Sequence, residues 1–290
     1  MVNNCLKPNS IVIKPEKDAG LCNRIKCIVS AMHLAEMYKA RLVLDWKPSF
    51  SCGIEFRDLF DNNIENVENI NHSDKEDVIE EVNTWKFPDI PKEQILKYLN
   101  SLEINNEILK KVEQFSKHTY REVDFKKMVG IHCRRNEFML SSEKSKSTND
   151  LFFKRIDEII AQNKDVRFFL ATDSKKTEEE FFSRYMGRII TYPKLCLDRE
   201  KPEAIIEAMI DLLLLSKCNH ILGSYLSTYS EMAWWFGNCN AQFEEIGKPK
   251  TQQQQSNEGK KTSILSFLNQ YFRRNSSLYR KIMRRMGYWA

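Results

Sequence analysis

The sequence has no long apolar run and no paired metal-ligand motif. None of its hydrophobic stretches reaches the roughly 18 residues that a membrane-spanning helix needs, and the opening residues, MVNNCLKP, lack the apolar core of a signal peptide. The eight cysteines stand singly, without a Cys-x-x-Cys pair, so neither a zinc site nor a dense disulfide framework is indicated. We therefore expect reduced thiols in a cytoplasmic or cytosol-facing protein.

Glycine is scarce, with nine residues in 290, and neither a G-x-G-x-x-G sequence nor a P-loop is present. What the chain does have is enough apolar material for real cores, at 42% hydrophobic residues with 17 Phe and 5 Trp. A length of 290 residues suits about two domains of ordinary size.

The net charge of +5 is unevenly distributed. Ten of the 45 Lys and Arg residues, but only one of the 40 acidic residues, lie from Lys248 onward, which leaves the first 247 residues with 35 basic against 39 acidic side chains. The basic character therefore belongs to the tail, and a general nucleic-acid surface on the body is disfavoured.

The first fifty residues predict a βαβ unit. Residues 10–14 and 40–46 have the composition of buried strands, and apolar residues recur at helical spacing between them, from Ile25 to Tyr38. Such a unit implies a parallel sheet. Gly20 opens the helix, where free backbone N–H groups favour an anion. Taken alone, a glycine at such a position is more often a structural turn residue than part of a site.

Residues 127–137 carry the strongest indication of a functional site. A short apolar run from Met128 to Ile131 leads directly into His132, Arg134 and Arg135. Ligands of open α/β sheets bind outside the carboxyl ends of the strands, and arginine presents planar forks of donors that match phosphate oxygens. The segment predicts a phosphorylated ligand, with a solvated basic turn as the alternative.

Two further predicted strands end in polar side chains. Asp173 follows the strand at 166–171, and Ser227 and Thr228 follow the strand at 219–224, where they also begin a helix. These hydroxyls suit a phosphate, although as helix caps they would need no ligand. Because the carboxyl ends of parallel strands meet at one edge, we expect the strand ends at Asp173 and Ser224 to lie near Arg134.

The predicted domain organisation has four parts. Residues 1–122 form a first Rossmann-like domain, whose sheet is covered by helical residues 91–115, and residues 123–247 form a second. Residues 248–262 are a Gln-rich linker by composition. Residues 263–290 have the spacing of a basic amphipathic helix, which would either lie on an anionic membrane surface or pack back on the body.

The motif order resembles that of the α1,6-fucosyltransferase and protein O-fucosyltransferase superfamily. The resemblance spans residues 20 to about 236 and rests on five short segments taken in order. They are residues 20–24 (GLCNR), 132–137 (HCRRNE), 171–174 (ATDS), 211–216 (DLLLLS) and 224–228 (SYLST).

The resemblance implies an α/β, GT-B-like architecture of two facing Rossmann-like domains with parallel sheets, and a GDP-fucose donor held mainly by the second domain. It implies no metal, and the sequence indeed has no Asp-x-Asp pair of the kind that holds a divalent ion in metal-dependent glycosyltransferases. We expect no cofactor besides the nucleotide-sugar co-substrate. The donor-binding residues that follow are Gly20, Asn23, Arg24, His132, Arg135, Asp173, Asp211, Ser227 and Thr228.

The catalytic assignments are Arg134 and Glu137. Arg134 would stabilise the charge that grows on the departing diphosphate, and a carboxylate would take the acceptor's proton. Glu137 is the first candidate for that base and Glu143 the second. The segment departs from the superfamily here, since Asn136 and Glu137 replace the usual Thr-Asp or Gly-Asp pair.

The sequence thus predicts an inverting, metal-independent glycosyltransferase that moves fucose from GDP-fucose to a glycan or other hydroxyl acceptor. One alternative is a related enzyme that uses UDP-xylose or a rhamnose donor. Another is a non-catalytic nucleotide- or phosphate-binding relative that docks to membranes through its tail. No nucleic-acid partner is expected.

Overall fold

The computed structural model describes residues 8–69, 79–82, 90–120, 124–135 and 146–249. Within these ranges the chain forms two parallel sheets, each flanked by helices. No helix in the described part of the chain is long and apolar enough to cross a bilayer. The predicted helix at 263–290 and nearly all of the predicted linker at 248–262 lie outside the described residues.

The first sheet has the strand order β3-β2-β1-β4, and every pairing is parallel. Its strands are β1 (Ser10–Ile13), β2 (Arg41–Leu44), β3 (Glu65–Asn66) and β4 (Ile79–Val82). Helix α1 (Leu21–Tyr38) joins β1 to β2, as the predicted βαβ unit requires. All four residues of β1 are buried, because this strand is central and α1 covers one of its faces.

The second sheet has the order β7-β6-β5-β8-β9, again with every pairing parallel. Its strands are β5 (Val129–Cys133), β6 (Phe168–Thr172), β7 (Ile189–Ile190), β8 (His220–Ser224) and β9 (Gln242–Ile246). The helices that follow these strands are α5 (Asn149–Gln162), α6 (Lys175–Arg184), α7 (Pro202–Leu215) and α8 (Thr228–Phe236). The strand order reverses between β5 and β8, which is where open α/β sheets bind their ligands.

Residues 91–115 are not a single helical layer on the first sheet. They belong to α3 (Lys92–Asn100) and α4 (Asn106–Tyr120), while a short helix α2 (Phe56–Leu59) precedes them. Helix α4 packs against α7 of the second sheet, and the Phe115 ring contacts the rings of Phe169 and Tyr192. The prediction that this region covers the first sheet is therefore wrong for α4, whose apolar face is buried against the second sheet instead.

One continuous core joins the two sheets. Buried apolar side chains of α1, α3, α7 and α8 belong to a single cluster that crosses from one sheet to the other. A buried ion pair lies in the same interface, where Lys26 Nζ of α1 is 2.6 Å from Glu231 Oε2 of α8. The packing thus fixes how the two sheets face each other.

The predicted domain boundary at residue 122 falls between α4 and β5. It therefore separates the residues of the two sheets along the chain. That it is the limit of a domain stays a prediction.

The seven described cysteines are free thiols, five of them buried. Burial raises the pKa of the Cys27 and Cys133 thiols to about 12. These thiols are neutral packing groups near pH 7.

Candidate functional site

Arg134 lies immediately after the central strand of the second sheet. Its backbone N–H donates to Ser224 Oγ at 3.0 Å, and that hydroxyl donates to the carbonyl of His132 at 3.1 Å. The ends of β5 and β8 are thereby tied together at the point where the strand order reverses. The half-buried guanidinium of Arg134 lines a cleft between the two sheets.

Asp173 joins the end of β6 to the same edge. Its Oδ1 accepts a hydrogen bond from the Arg135 backbone N–H at 2.7 Å, and its Oδ2 lies 3.4 Å from a guanidinium nitrogen of Arg199. The carboxyl ends of β5, β6 and β8 therefore meet, in line with the sequence pattern. Asp173 serves here to link the loops that carry the two arginines.

His132 is buried under the start of α8. Its Nδ1 is 2.7 Å from Ser230 Oγ and 3.4 Å from Ser227 Oγ. The Tyr229 ring stacks on the imidazole with centroids 4.4 Å apart. Burial, helped by the nearby Arg134 and other cations, holds the pKa of His132 well below its usual value. The imidazole is therefore neutral near pH 7 and can hold a hydrogen bond without adding charge.

The cleft between the sheets has a volume of about 380 Å³. The second sheet contributes Arg134, Asp173, Asp211 and Thr228 to its wall, and the first contributes Gly20 and Asn23. Of the residues predicted from the sequence, these six together with His132 line one hollow.

The first sheet presents the start of α1 to this cleft. Gly20 is the N-cap residue, with extended backbone angles, and no side chain caps the helix there. The backbone N–H groups of the first turn have no partner within the helix, so they favour an anion. The Asn23 side chain lies in the same turn, and its buried Oδ1 has no hydrogen-bond partner among the described residues, so this atom is an acceptor for a donor group of a ligand rather than for an anion.

Asp211 and Lys194 form a buried ion pair in the cleft wall. Lys194 Nζ is 2.9 Å from Asp211 Oδ2, and the two side chains are only 8% and 4% exposed. Burial raises the pKa of Asp211 to about 6, against the opposing effect of Lys194. Ala208 and Ala204 lie one and two turns before Asp211 on the same face of α7 and also line the cleft. The face that α7 contributes to the cleft is thus apolar except for the Asp211 carboxylate.

Arg24 does not line the cleft. Its Nε donates to the carbonyl of Ala19, and its terminal nitrogens donate to the carbonyl of Lys47 and to Ser49 Oγ. The guanidinium also lies over the Trp46 ring at 4.8 Å. The prediction that Arg24 contacts a ligand therefore does not match its position, since its donors bind loops of the first sheet.

Arg135 is likewise turned away from the cleft. Its side chain donates to Asn149 Oδ1 and to the carbonyls of Arg134 and Ser147. It thus fixes the loop before α5 rather than a ligand. Arg135 would affect a ligand only through Arg134, which it positions.

Ser227 is the N-cap residue of α8 but makes no side-chain capping bond, because its hydroxyl turns toward His132. It is 4% exposed and does not line the cleft, whereas the next residue, Thr228, does. The predicted base Glu137 and the second candidate, Glu143, lie outside the described residues.

Sequence reasoning missed several side chains in the cleft wall. Lys194 and Arg199 come from the irregular segment after β7, and Glu16 and Asp18 come from the loop after β1. Both segments follow the carboxyl ends of strands, and that position was the signal that could have identified them.

A glycine positions the loop that carries Arg199. Gly53, in the loop after β2, donates its N–H to the carbonyl of Arg199 at 2.8 Å. A Cβ at Gly53 would lie 2.0 Å from the carbonyl oxygen of Glu200, so no larger residue fits without moving the loop. The loop after β2 thus contacts the segment after β7 directly beside the cleft.

Within the described ranges, no three His, Cys, Asp or Glu side chains come together in a way that could hold a metal ion. Whether a reaction in this cleft needs a metal is a separate question, and the expectation that it does not stays a prediction.

No protein-family model matches the sequence, and no curated protein has a similar sequence. Solved structures do match. NodZ α1,6-fucosyltransferase co-crystallized with GDP, an enzyme of Bradyrhizobium, has a TM-score of 0.59 at 15% identity, over 78% of this chain and 92% of that one. POFUT1 in complex with GDP has a TM-score of 0.53 at 11% identity, over 83% and 99%.

A mutant of Arabidopsis thaliana FUT1 in complex with GDP gives a TM-score of 0.52 at 13% identity, over 79% of this chain and 68% of that one. The predicted fold class, α/β with two facing parallel sheets as in these fucosyltransferases, is confirmed. At these identities the likeness establishes the fold, and the chemistry has to be argued from the cleft.

Proposed function

We propose that the protein is a glycosyltransferase that transfers fucose from GDP-fucose to a hydroxyl group of a glycan or another acceptor. The observation that carries the proposal is the position of Arg134, a half-buried guanidinium at the sheet's switch point, lining a cleft that the α1 N-terminus faces from the opposite domain. The fold shared with fucosyltransferases that were crystallised with GDP supports the same donor.

Arg134 would act on the leaving group. Breaking the bond between the sugar and a nucleoside diphosphate leaves growing negative charge on two phosphates. A fixed guanidinium stabilises that charge more in the transition state than in the ground state, which is what lowers the barrier. Thr228 at the start of α8 adds a hydroxyl and a helix N-terminus on the same wall.

The positive charge available in the cleft is sufficient to propose that no metal takes part. Arg134 and Arg199 line the cleft together, with Arg199 also 3.4 Å from Asp173, and both guanidinium groups would donate hydrogen bonds to the diphosphate leaving group. The role of a divalent cation in neutralising that charge would then fall to side chains. The neutral His132 would contribute hydrogen bonding rather than charge.

Asp211 and the apolar wall of α7 would hold the base. Its Oδ1 is buried and has no hydrogen-bond partner among the described residues, although the atom is a strong acceptor. Guanine carries two adjacent donors, N1–H and the 2-amino group, on the edge that pairs in duplexes. Uracil and thymine have a single N–H on this edge, with a carbonyl oxygen on each side of it. A carboxylate would repel these oxygens.

Inversion at the sugar carbon requires a base on the face opposite the diphosphate. Glu137 and Glu143 keep their places as candidates. Glu16 and Asp18 join them, because they line the cleft from the first domain and therefore face the Arg134 wall. Any of the four carboxylates could take the proton of the incoming hydroxyl.

A panel of nucleoside diphosphates tests the donor site. At a concentration of 100 times its Kd, GDP is expected to stabilise the folded protein by about 2.7 kcal/mol, and UDP and dTDP by clearly less. Thermal unfolding followed by fluorescence measures this. Equal shifts for all three would contradict a guanine site, and a preference for UDP or dTDP would instead indicate a xylose or rhamnose donor.

Binding of GDP without any cleavage of GDP-fucose would indicate a non-catalytic nucleotide-binding protein.

The predicted membrane contact through residues 263–290 is tested separately, by sedimentation with vesicles that contain anionic lipid. Deleting those residues should abolish sedimentation if they lie on the membrane.

A further inference from the structure

In the buried pair of Lys194 and Asp211, the ammonium has further acceptors besides the carboxylate. Besides Asp211 Oδ2 at 2.9 Å, Lys194 Nζ contacts the carbonyl of Tyr192 and Thr191 Oγ1, each at 3.4 Å. The ammonium is thus held by three acceptors that surround it. Only one of the two carboxylate oxygens is used, because Oδ1 is buried and has no hydrogen-bond partner among the described residues.

The chain segment after β7 is shaped to hold Lys194 in place. Glu207 of α7 accepts hydrogen bonds from the backbone N–H groups of Leu195 at 3.0 Å and Cys196 at 3.1 Å. This pair of hydrogen bonds to one carboxylate fixes the turn directly after Lys194. Leu195 itself is 94% exposed, so apolar packing of its side chain does not hold the turn.

The groups around Asp211 mostly disfavour its ionised form. Glu178, which lies 3.9 Å from Lys194 Nζ, and Glu207 both raise the pKa of Asp211, as burial does. The nearby Tyr192 and Tyr229 have raised pKa values and are neutral near pH 7, and the neighbouring His132 is neutral as well. Lys194 is the cation that contacts Asp211 and favours its charge.

We propose that Lys194 is a positioning residue that keeps Asp211 ionised, and that it thereby sets the pH range over which the cleft binds a guanine nucleotide. The proposal rests on the proposed function, because it takes Asp211 as the group that reads the base. In this arrangement Lys194 does not touch the nucleotide. It holds Oδ2, so that Oδ1 presents a charged acceptor to the two donors of guanine.

The expected pH dependence follows from the sign of the shift. The pKa of Asp211 is raised to about 6 in the folded protein, so the carboxylate is charged above that pH and neutral below it. Apart from the titration of the nucleotide itself, affinity for GDP should be constant above that pH and fall about tenfold per pH unit below it. Removing the Lys194 charge raises the pKa of Asp211 further, so the loss of affinity should begin at a higher pH.

The experiment compares Kd values for GDP between pH 5.5 and 8.5 for the wild-type protein and four variants. Lys194→Met should move the midpoint upward by at least one pH unit, which weakens binding about twofold at pH 7 and close to tenfold at pH 5.5, and Lys194→Arg should keep the wild-type midpoint. Asp211→Asn should show only the titration of the nucleotide itself. Lys97→Met, a surface lysine paired with Glu36, is the matched control and should leave the profile unchanged.

A Lys194→Met profile that is weaker at every pH but has the wild-type midpoint would overturn the proposal, because Lys194 would then act on the nucleotide or the fold. Circular dichroism on each variant confirms folding, and Lys194→Arg covers the case in which Lys194→Met does not fold. If the wild type shows the expected profile but cleaves no GDP-fucose, the proposed reaction fails and the role of Lys194 stands. If the wild type binds no GDP at any pH, both fail.

Discussion

Replacing Arg134 with alanine is expected to lower kcat for donor cleavage by roughly 10² to 10³-fold, the range measured when a single oxyanion donor is removed. The reason is the position of the guanidinium, which lines the cleft beside Asp173 and Thr228 at the end of the central strand. Charge on the diphosphate is largest in the transition state, so the loss should appear mainly in kcat and less in KM.

Two further variants separate charge from geometry. Arg134→Lys keeps a positive charge but loses the planar fork, so it should recover part of the rate and not all of it. Arg188→Ala is the matched control, because Arg188 immediately precedes β7 at the opposite edge of the same sheet and donates to the carbonyls of Lys164 and Val166. Wild-type kcat in Arg134→Ala, or an equal loss in Arg188→Ala, would contradict the assigned role.

Replacing Glu231 with alanine is expected to lower the free energy of unfolding by about 3 to 5 kcal/mol, because it leaves the Lys26 ammonium buried without its carboxylate. The two side chains are 10% and 5% exposed and 2.6 Å apart. Glu231 Oε1 also accepts from the indole N–H of Trp235 at 3.3 Å. Chemical denaturation monitored by tryptophan fluorescence measures the change.

The double variant Lys26→Met with Glu231→Gln should recover most of that loss, since it removes both charges and leaves no buried ion. Glu107→Ala is the control, because it breaks an exposed pair with Lys110 on the helix surface and should change stability little. A Glu231→Ala variant as stable as Glu107→Ala would show that the interface does not depend on the buried pair.

The parts of the fold that could be predicted from the sequence are those in which local pattern and burial agree. Continuous apolar runs predict β5, β6 and β8, because strands of a parallel sheet are covered on both faces. Helix α7 can be predicted from its strongly apolar sequence. The βαβ unit at the N-terminus follows from the change of period between strand and helix.

Other parts depend on contacts between distant segments. Strand β9 was not predicted, because it is an edge strand with charged residues at two successive positions, Glu244 and Glu245. Glu244 is held there by Arg155 at 2.7 Å and by His220 at 2.9 Å. The packing of α4 on the second sheet could not be predicted either, since an amphipathic pattern gives the apolar face but not the partner.

The site divides in the same way. The meeting of Arg134, Asp173 and Ser224 at one edge could be predicted, since the carboxyl ends of parallel strands share an edge. The positions of the Arg24 and Arg135 guanidinium groups could not be predicted, because their acceptors are backbone carbonyls and side chains of segments that only the fold brings close. Lys194 was missed because it lies in an irregular segment without periodicity.

The central claim is that a fixed guanidinium at the sheet's switch point neutralises a departing GDP. The most direct measurement is the rate at which the purified protein, with EDTA present, releases GDP from GDP-fucose, compared with UDP release from UDP-xylose. We expect GDP release from GDP-fucose in EDTA, little release from UDP-xylose, and a rate reduced at least 100-fold by Arg134→Ala. GDP release that is unchanged in Arg134→Ala, or no release from any nucleotide sugar, would contradict the account.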